Sequence, residues 1–294
     1  MNNEVSFEYG ENSHQHARLE KNEYTIDYEI NGILSFNELL AISKGLNLIS
    51  EFYDVHAACM VKHNGIGSVA LGAVLADALQ KIVDANPIDF MDSIIVTSSE
   101  VDSETIKFVK DTNIIVAPKF TKSALEKLNS HNIRYVLIKT PLKDYKQYLP
   151  DDTKTTPLGT LIQSPNSSEL NKDTFKILSK QKPTEEQIED AVFAWKVAKH
   201  VKSQAIVIAK DLKTAAITQG LQSALVEFAL DYSCDMSKDA ILASDMPLTV
   251  HDVNVAAQGR IGVIIVPEAD KSIVDKADKY GIVLITTGIT NILS

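Results

Sequence analysis

With 294 residues, 45% of them hydrophobic, the chain has enough apolar material for one large domain or two of ordinary size, which argues against a disordered segment. A formal net charge of -10, with no Lys/Arg-rich run interleaved with aromatics, argues against nucleic acid as a partner, although a small anion needs only a few local donors. No apolar stretch approaches the roughly 20 residues of a membrane span, and the start, MNNEVSFEYGENSHQ, lacks the features of a secretory signal, so a cytoplasmic protein without a membrane partner is expected.

In chain order, FEYGENSHQHA gathers Tyr9, Glu11, Asn12, His14, Gln15 and His16 in a polar loop. His14 and His16 stand two apart with no further ligand near, which gives no support to a metal site. ACMVKHNG, residues 58–65, is an apolar strand that ends on Lys62 and His63. Gly65 and Gly67 match no phosphate loop and read as a tight turn into a helix over 68–83, where Val69, Leu71, Val74, Leu75, Leu79 and Ile82 recur at helical spacing. Then come a strand (SIIVTSS), a helix (VDSETIKFVKD), a strand (TNIIVAP), a helix (KSALEKLNSH) and a strand (RYVLIKT).

A stretch with Pro141, Pro150, Pro157 and Pro165 follows and closes at Pro183. Thr184 is then a natural N-cap with Gln187 three residues on, and Ile188, Val192, Trp195 and Val201 trace an apolar helical face. Strands are expected in SQAIVIAKD, DAILAS, RIGVIIVP and GIVLITT, alternating with helices near 220–230, 250–258 and 272–279. The strand runs are apolar on both faces, the mark of a parallel or mixed sheet covered by helices on both sides, so the fold class is a three-layer α/β/α.

The second half repeats the first. AIVIAKD lies over ACMVKHN at an offset of 147, residues 94–96 over 241–243 at the same offset, and residues 113–133 over 262–282 at 149. The organisation read from this is a first α/β subdomain over 1–150, a connector over 151–183 and a second α/β subdomain over 184–294. Cys59 and Cys234 have neither CxxC nor Cys/His spacing, so buried, reduced thiols are expected.

Open α/β sheets place ligands at the carboxyl ends of their strands, where Lys62 and His63 stand. A histidine can accept a proton while an adjacent ammonium stabilises developing negative charge, a combination suited to attack of a weak amine on a carbonyl. Taken alone, the same dipeptide reads more simply as a solvated strand end and a turn residue, and at offset 147 the second half carries Ala209 and Lys210 there.

Several segments together resemble the transformylase domain that formylates aminoimidazole carboxamide ribonucleotide (AICAR). These are YGENSHQ (family YGENPHQ), LSFNELL (LSYNNLL), VKHNGIGSVALG (VKHNNPCGVA), IIVAPKF and FAWKVAKHVKSQAIVIAKD (FAWKVAKHVKSNAIVYAKD), with SDMPLTVHD a looser match to SDAFFPFRD. The resemblance implies tandem duplicated cytidine-deaminase-like subdomains and a homodimer with active sites at its interface. It also implies 10-formyltetrahydrofolate as co-substrate and K+ as a further group. By the same resemblance Lys62 and His63 are the catalytic pair, Tyr9, Asn12, Gln204 and Lys202 contact substrate, and Asp245 relates to a monovalent cation. The family's cyclohydrolase domain is not represented in the sequence.

The departures fall where binding is expected. Glu8 and Ala224 stand where the family has arginines, Gln204 replaces an asparagine, and DFMDS (89–93) replaces SAFGG. Residues 267–270 read PEAD rather than PGGS, and Leu293 and Ser294 stand where an arginine and a histidine are expected. Fewer cations weaken the hold on a phosphate, a loss that Lys199, Lys202 or Lys210 is placed to offset. Two functions follow: a divergent AICAR formyltransferase, or a catalytically impaired paralogue that keeps a nucleotide-sized pocket for regulation or for pairing with an active subunit.

Overall fold

The structure, a computed structural model, describes residues 4–170, 172–220 and 224–293. The chain opens with a small hairpin, β1 (Glu4–Phe7) and β2 (Ala17–Glu20), followed by β3 (Tyr28–Asn31). Ser35 then caps α1 (Phe36–Ile49) through a reciprocal capping box with Glu38. Next come β4 (His56–Lys62), β5 (Gly65–Gly72), α2 (Leu75–Ala85) and a single turn, α3 (Pro87–Phe90). The first half finishes with β6 (Ile94–Thr97), α4 (Ile106–Val109), β7 (Ile114–Ala117), α5 (Lys122–Ser130) and β8 (Arg134–Ile138).

A second separate hairpin, β9 (Asp152–Thr156) and β10 (Gly159–Gln163), and a short β11 (Lys176–Ile177) lead into α6 (Glu185–Ala198), whose Thr184–Gln187 capping box is as expected. The second half then runs β12 (Ala205–Lys210), β13 (Lys213–Gln219), α7 (Leu225–Ser233), β14 (Ile241–Ser244), α8 (Val250–Gln258), β15 (Val263–Val266), α9 (Lys271–Tyr280) and β16 (Val283–Thr286).

Among the described residues, twelve strands form one mixed sheet in the order β11-β16-β15-β14-β12-β13-β5-β4-β6-β7-β8-β3. Each half contributes the same five-strand pattern, and the halves meet where β5 and β13 pair antiparallel at Ala70 and Lys213. Within each half the first three strands are antiparallel and the last three parallel. Every residue of β6, β7, β14, β15 and β16 is buried, as the doubly apolar runs require.

Helices α1 and α6 cover one face with a continuous core that includes Leu48, Ile49, Val61, Trp195 and Val207. The other face has separate cores, one under α2, α4 and α5 (Met60, Leu79, Ile106, Leu128) and one under α7, α8 and α9 (Ile208, Leu242, Val253, Ile273). That division leaves the middle of the sheet open between them.

The repeat extends to backbone detail. Asp92 and Asp239, 147 apart, have φ of 57° and 59° and donate to the equivalent carbonyls of Asp111 and Arg260 at 3.0 and 2.9 Å. In the first strand the ladder corrects the offset by one: Ala58 faces Thr97 as Ile206 faces Ser244, so β4 lies over β12 at 206 - 58 = 148. Lys62 and His63 therefore correspond to Lys210 and Asp211, not to Ala209 and Lys210.

Two expectations fail. Residues 68–72 belong to strand β5 rather than to the start of a helix, which begins only at Leu75, and of the helix expected over 101–111 only α4 forms. In the first case a buried strand, Ser68-Val69-Ala70, merges into the apolar spacing of the helix after it, so the two periods cannot be separated by hydrophobicity.

Candidate active site

Strands β4 and β5 are joined by a two-residue turn in which His63 (φ 48°) and Asn64 (φ 61°) are both left-handed. This is the turn geometry whose twist matches paired strands, and left-handed backbone is costly for a non-glycine residue. Lys62, the last residue of β4, donates from Nζ to the carbonyl of Met91 at 3.1 Å and lies 3.7 Å from Asp89 Oδ1. His63 is exposed at the tip, and among the described residues its ring has no hydrogen-bond or ion-pair partner. Asn64 accepts on its carbonyl from Lys44 Nζ at 2.7 Å, while its Oδ1 is buried with no partner among the described residues.

Helix α1 connects this hairpin to the N-terminal motif. Asn37 donates from Nδ2 to the carbonyl of Glu11 at 3.2 Å, and Lys44, seven residues on, holds Asn64. Seven residues make two turns, so these contacts share one helix face about 10 Å apart. Within the loop, Gln15 Oε1 accepts from the Asn12 backbone and side chain at 2.9 and 2.8 Å, and Phe7 packs edge-on against Phe36. Tyr9 is left 39% exposed.

Past their pair at Ala70 and Lys213, β5 and β13 splay apart. Thr214 holds the apex of the split: its hydroxyl takes the Val69 amide at 3.0 Å and lies 3.3 Å from Ser68 Oγ. The splay opens a groove of about 640 Å³ between α2–α3 and α7, lined by Gly67, Ser68, Asn86, Asp89, Thr218 and Phe228 among others. Because Asp89 also faces Lys62, the groove adjoins the hairpin end.

Strand direction decides what else reaches this edge. β4 is antiparallel to β5, β5 to β13 and β13 to β12, so the end of β4 and the beginning of β12 lie on the same edge, on either side of the splay between β5 and β13. Gln204 immediately precedes β12, its carbonyl accepting from Gly220 at 3.0 Å, and the exposed Lys202 lies just before it. Leu293 reaches the same corner, exchanging bonds of 2.9 Å with Ser203 through both its amide and its carbonyl. Ser294 lies outside the described residues. Lys210 ends β12 at the opposite edge, where it donates to the carbonyl of Lys238 at 2.8 Å.

Lys199 is committed elsewhere. It is 6% exposed and donates to Glu51 Oε1 and the Ser168 carbonyl, both at 2.7 Å. His200 and Lys146 approach the same carboxylate at 3.4 Å, and Lys196 donates to the Glu51 carbonyl at 2.8 Å. Burial opposes charge on Glu51, but the His200 hydrogen bond and the Lys199 ammonium outweigh it and hold the carboxyl well below its ordinary range. Burial likewise pushes the His200 ring down, against the pull of Glu51.

Asp245 is fully buried at the end of β14 and accepts from the Ala205 amide at 2.8 Å and from the Ser203 hydroxyl. Ser98 does the same in the first repeat, accepting from the Ala57 amide at 2.8 Å. Burial raises the Asp245 carboxyl, and both its oxygens serve donors of its own chain. These residues do not fit a resident cation, and no group of three or more His, Cys, Asp or Glu placed to hold a metal occurs among the described residues.

Fold and site together define a duplicated three-layer α/β protein with a Lys-His hairpin end beside the opening between its repeats. The AICARFT/IMPCHase bienzyme family matches residues 1–229, and the chain belongs to that family. The bifunctional purine biosynthesis protein PurH of Caldicellulosiruptor saccharolyticus is 35% identical over 299 residues, covering 96% of this chain and 57% of that protein. The proteins of the same name from Anoxybacillus flavithermus and Acetivibrio thermocellus are 32% and 34% identical, covering 97% and 96% of this chain and 58% and 57% of their own lengths. The chain thus spans a little over half the length of the curated relatives it matches.

Proposed function

We propose that the protein transfers a formyl group from 10-formyltetrahydrofolate to the 5-amine of AICAR, a step of purine biosynthesis. The observation that carries this reading is the common edge: Lys62, His63, Gln204 and Leu293 lie beside one groove, with the Tyr9–Gln15 loop tied to the same hairpin through α1. The amine nitrogen attacks the formyl carbon, the bond from that carbon to N10 of the folate breaks, and the proton lost by the amine passes through His63 to N10. Lys62 stabilises the oxygen as it becomes anionic. Tyr9, Asn12, Gln204 and Lys202 are proposed to contact the acceptor.

No step is routed through K+, since Asp245 is occupied. We further propose a homodimer with sites at the interface, because large apolar side chains stand in the open here: Phe228 and Tyr232, which line the groove, are 53% and 74% exposed, and Ile88 and Met91, on either side of Asp89 and Phe90, are 82% and 58% exposed. Among the described residues no helix is long and apolar enough to cross a membrane, in keeping with a cytoplasmic location as part of the proposal. The division into units 1–150 and 184–294 with a connector between them belongs to the proposal as well.

The test is appearance of tetrahydrofolate when the protein meets AICAR and 10-formyltetrahydrofolate. Turnover that drops at least about 100-fold in His63→Ala agrees with the proposal. Absence of turnover together with absence of AICAR binding by calorimetry favours the impaired-paralogue reading, which the lost cationic positions at Glu8, Ala224 and Leu293 also suggest.

A further inference from the structure

Lys62 and Lys210 hold the same place in the two repeats, and each donates to an equivalent carbonyl, Met91 at 3.1 Å and Lys238 at 2.8 Å, 147 residues apart. The carbonyl anchor therefore belongs to the architecture of the repeat. What differs is the side chain two residues before that carbonyl, Asp89 in the first repeat and Met236 in the second (89 + 147 = 236). Asp89 brings Oδ1 to 3.7 Å from Lys62 Nζ. Its other oxygen accepts from Asn86 Nδ2 at 2.9 Å, and its amide donates to Asn86 Oδ1 at 3.3 Å. The second repeat has Ser233 at the place of Asn86, so carboxylate and amide are both specific to the half that carries the histidine. Asp89 and Asn86 both line the groove.

We propose that Asp89, held by Asn86, is a positioning residue for Lys62, turning its ammonium toward the groove. The inference rests on the formyl-transfer reading for its catalytic consequence, whereas the hold on Lys62 stands on the geometry alone. A lysine side chain has many rotamers, and the Met91 carbonyl constrains Nζ from one side only. A carboxylate on the groove side supplies the second constraint and matches the cationic state that stabilising an oxyanion requires. With Asp89 and Lys62 both partly exposed, the pair adds little to folding stability, so its removal leaves a folded protein to assay.

The experiment compares wild type, Asp89→Asn, Asp89→Glu and Asn86→Ala by two readouts. The first is steady-state formyl transfer. Asp89→Asn lowers kcat about tenfold with the KM for AICAR within about twofold, and Asp89→Glu restores most of the rate. The second is competitive acetylation of lysines with acetic anhydride, read by peptide mass spectrometry, which needs no turnover. Lys62 reacts severalfold faster in Asp89→Asn and Asn86→Ala, while Lys210 is unchanged. Equal Lys62 labelling in all four proteins overturns the inference, as does an unchanged or raised kcat in Asp89→Asn. If wild type shows no transfer, the formyl-transfer reading fails, and the labelling still decides whether Asp89 holds Lys62.

Discussion

Glu51→Gln tests how the two repeats are held together. Glu51 comes from the turn after α1, and Lys199 and His200 from the end of α6, so the carboxylate ties the halves within their shared core layer. Removing its charge leaves the Lys199 ammonium buried with the Ser168 carbonyl as its remaining strong acceptor, whereas Lys146 keeps Glu169 at 3.2 Å and Lys196 keeps the Glu51 backbone carbonyl. Breaking a buried pair from one side costs roughly 3–5 kcal/mol, which in a chain of this size lowers the thermal midpoint by roughly 6–15 °C.

The pH dependence has a fixed sign. The folded Glu51 carboxyl titrates below its ordinary 4.5, so its contribution is present above about pH 4.5 and is lost as the pH falls toward the folded value. His200 titrates below its ordinary 6.5, so the unfolded chain takes up that proton first and stability already declines as the pH drops below about 6.5. Urea unfolding followed by circular dichroism between pH 3.5 and 8 reads both. Glu51→Gln flattens the slope below pH 4.5, and Glu51→Leu with Lys199→Met recovers much of the stability lost by the single change. A Glu51→Gln protein within about 1 kcal/mol of wild type at pH 7, or one with the wild-type acid slope, refutes the reasoning.

Gly45 lies where α1 crosses the sheet, and a Cβ there would meet Val96 Cγ2 at 2.5 Å and Val61 Cγ2 at 3.1 Å; Gly45→Ala is expected to cost about 1–3 kcal/mol in urea unfolding. Thr214→Val strips the hydroxyl that satisfies the Val69 amide and lowers stability by about 1–3 kcal/mol, more than a Thr→Val change on the exposed hairpin at Thr155. Cys59 is buried and its thiol pushed up by burial, whereas Cys234 is exposed, so a disulfide-exchange reagent should titrate one thiol in the native protein and both in denaturant.

Much of the fold is legible in the residues. Apolar runs buried on both faces mark β6, β7, β14, β15 and β16, the Thr184 capping box fixes the start of α6, and α8 and α9 follow from their spacing. The strands that build the site are less visible. In β5 three consecutive buried residues run on into helical spacing; the hairpin turn that marks the start of the strand falls on His63 and Asn64, just ahead of Gly65. β13 carries Lys213, Thr214 and Thr218 within it, and no local pattern announces that it will pair with a strand some 140 residues earlier. Burial is expected for both cysteines, and it holds for Cys59 but fails for Cys234, which is exposed.

At the site, Lys62 and His63 were readable as a strand end, but nothing local shows that Gln204 reaches the same edge. That follows from three successive antiparallel pairings. Asp89 shows in the sequence as a departure from a motif, and its meaning depends on where Lys62 Nζ comes to rest. Lys199 illustrates the converse: a lysine in a strongly matching segment is sequestered by Glu51, from almost 150 residues earlier.

That the hairpin end and the groove form one ligand site, as proposed, can be read on wild-type protein without turnover. AICAR titrated into protein carrying 13C-labelled histidine should move the ring signals of His63, assigned by His63→Gln, while those of His131 and His251, on α5's end and on α8, stay in place. Saturable binding that leaves the His63 signals unmoved, or movement confined to the remote histidines, contradicts it.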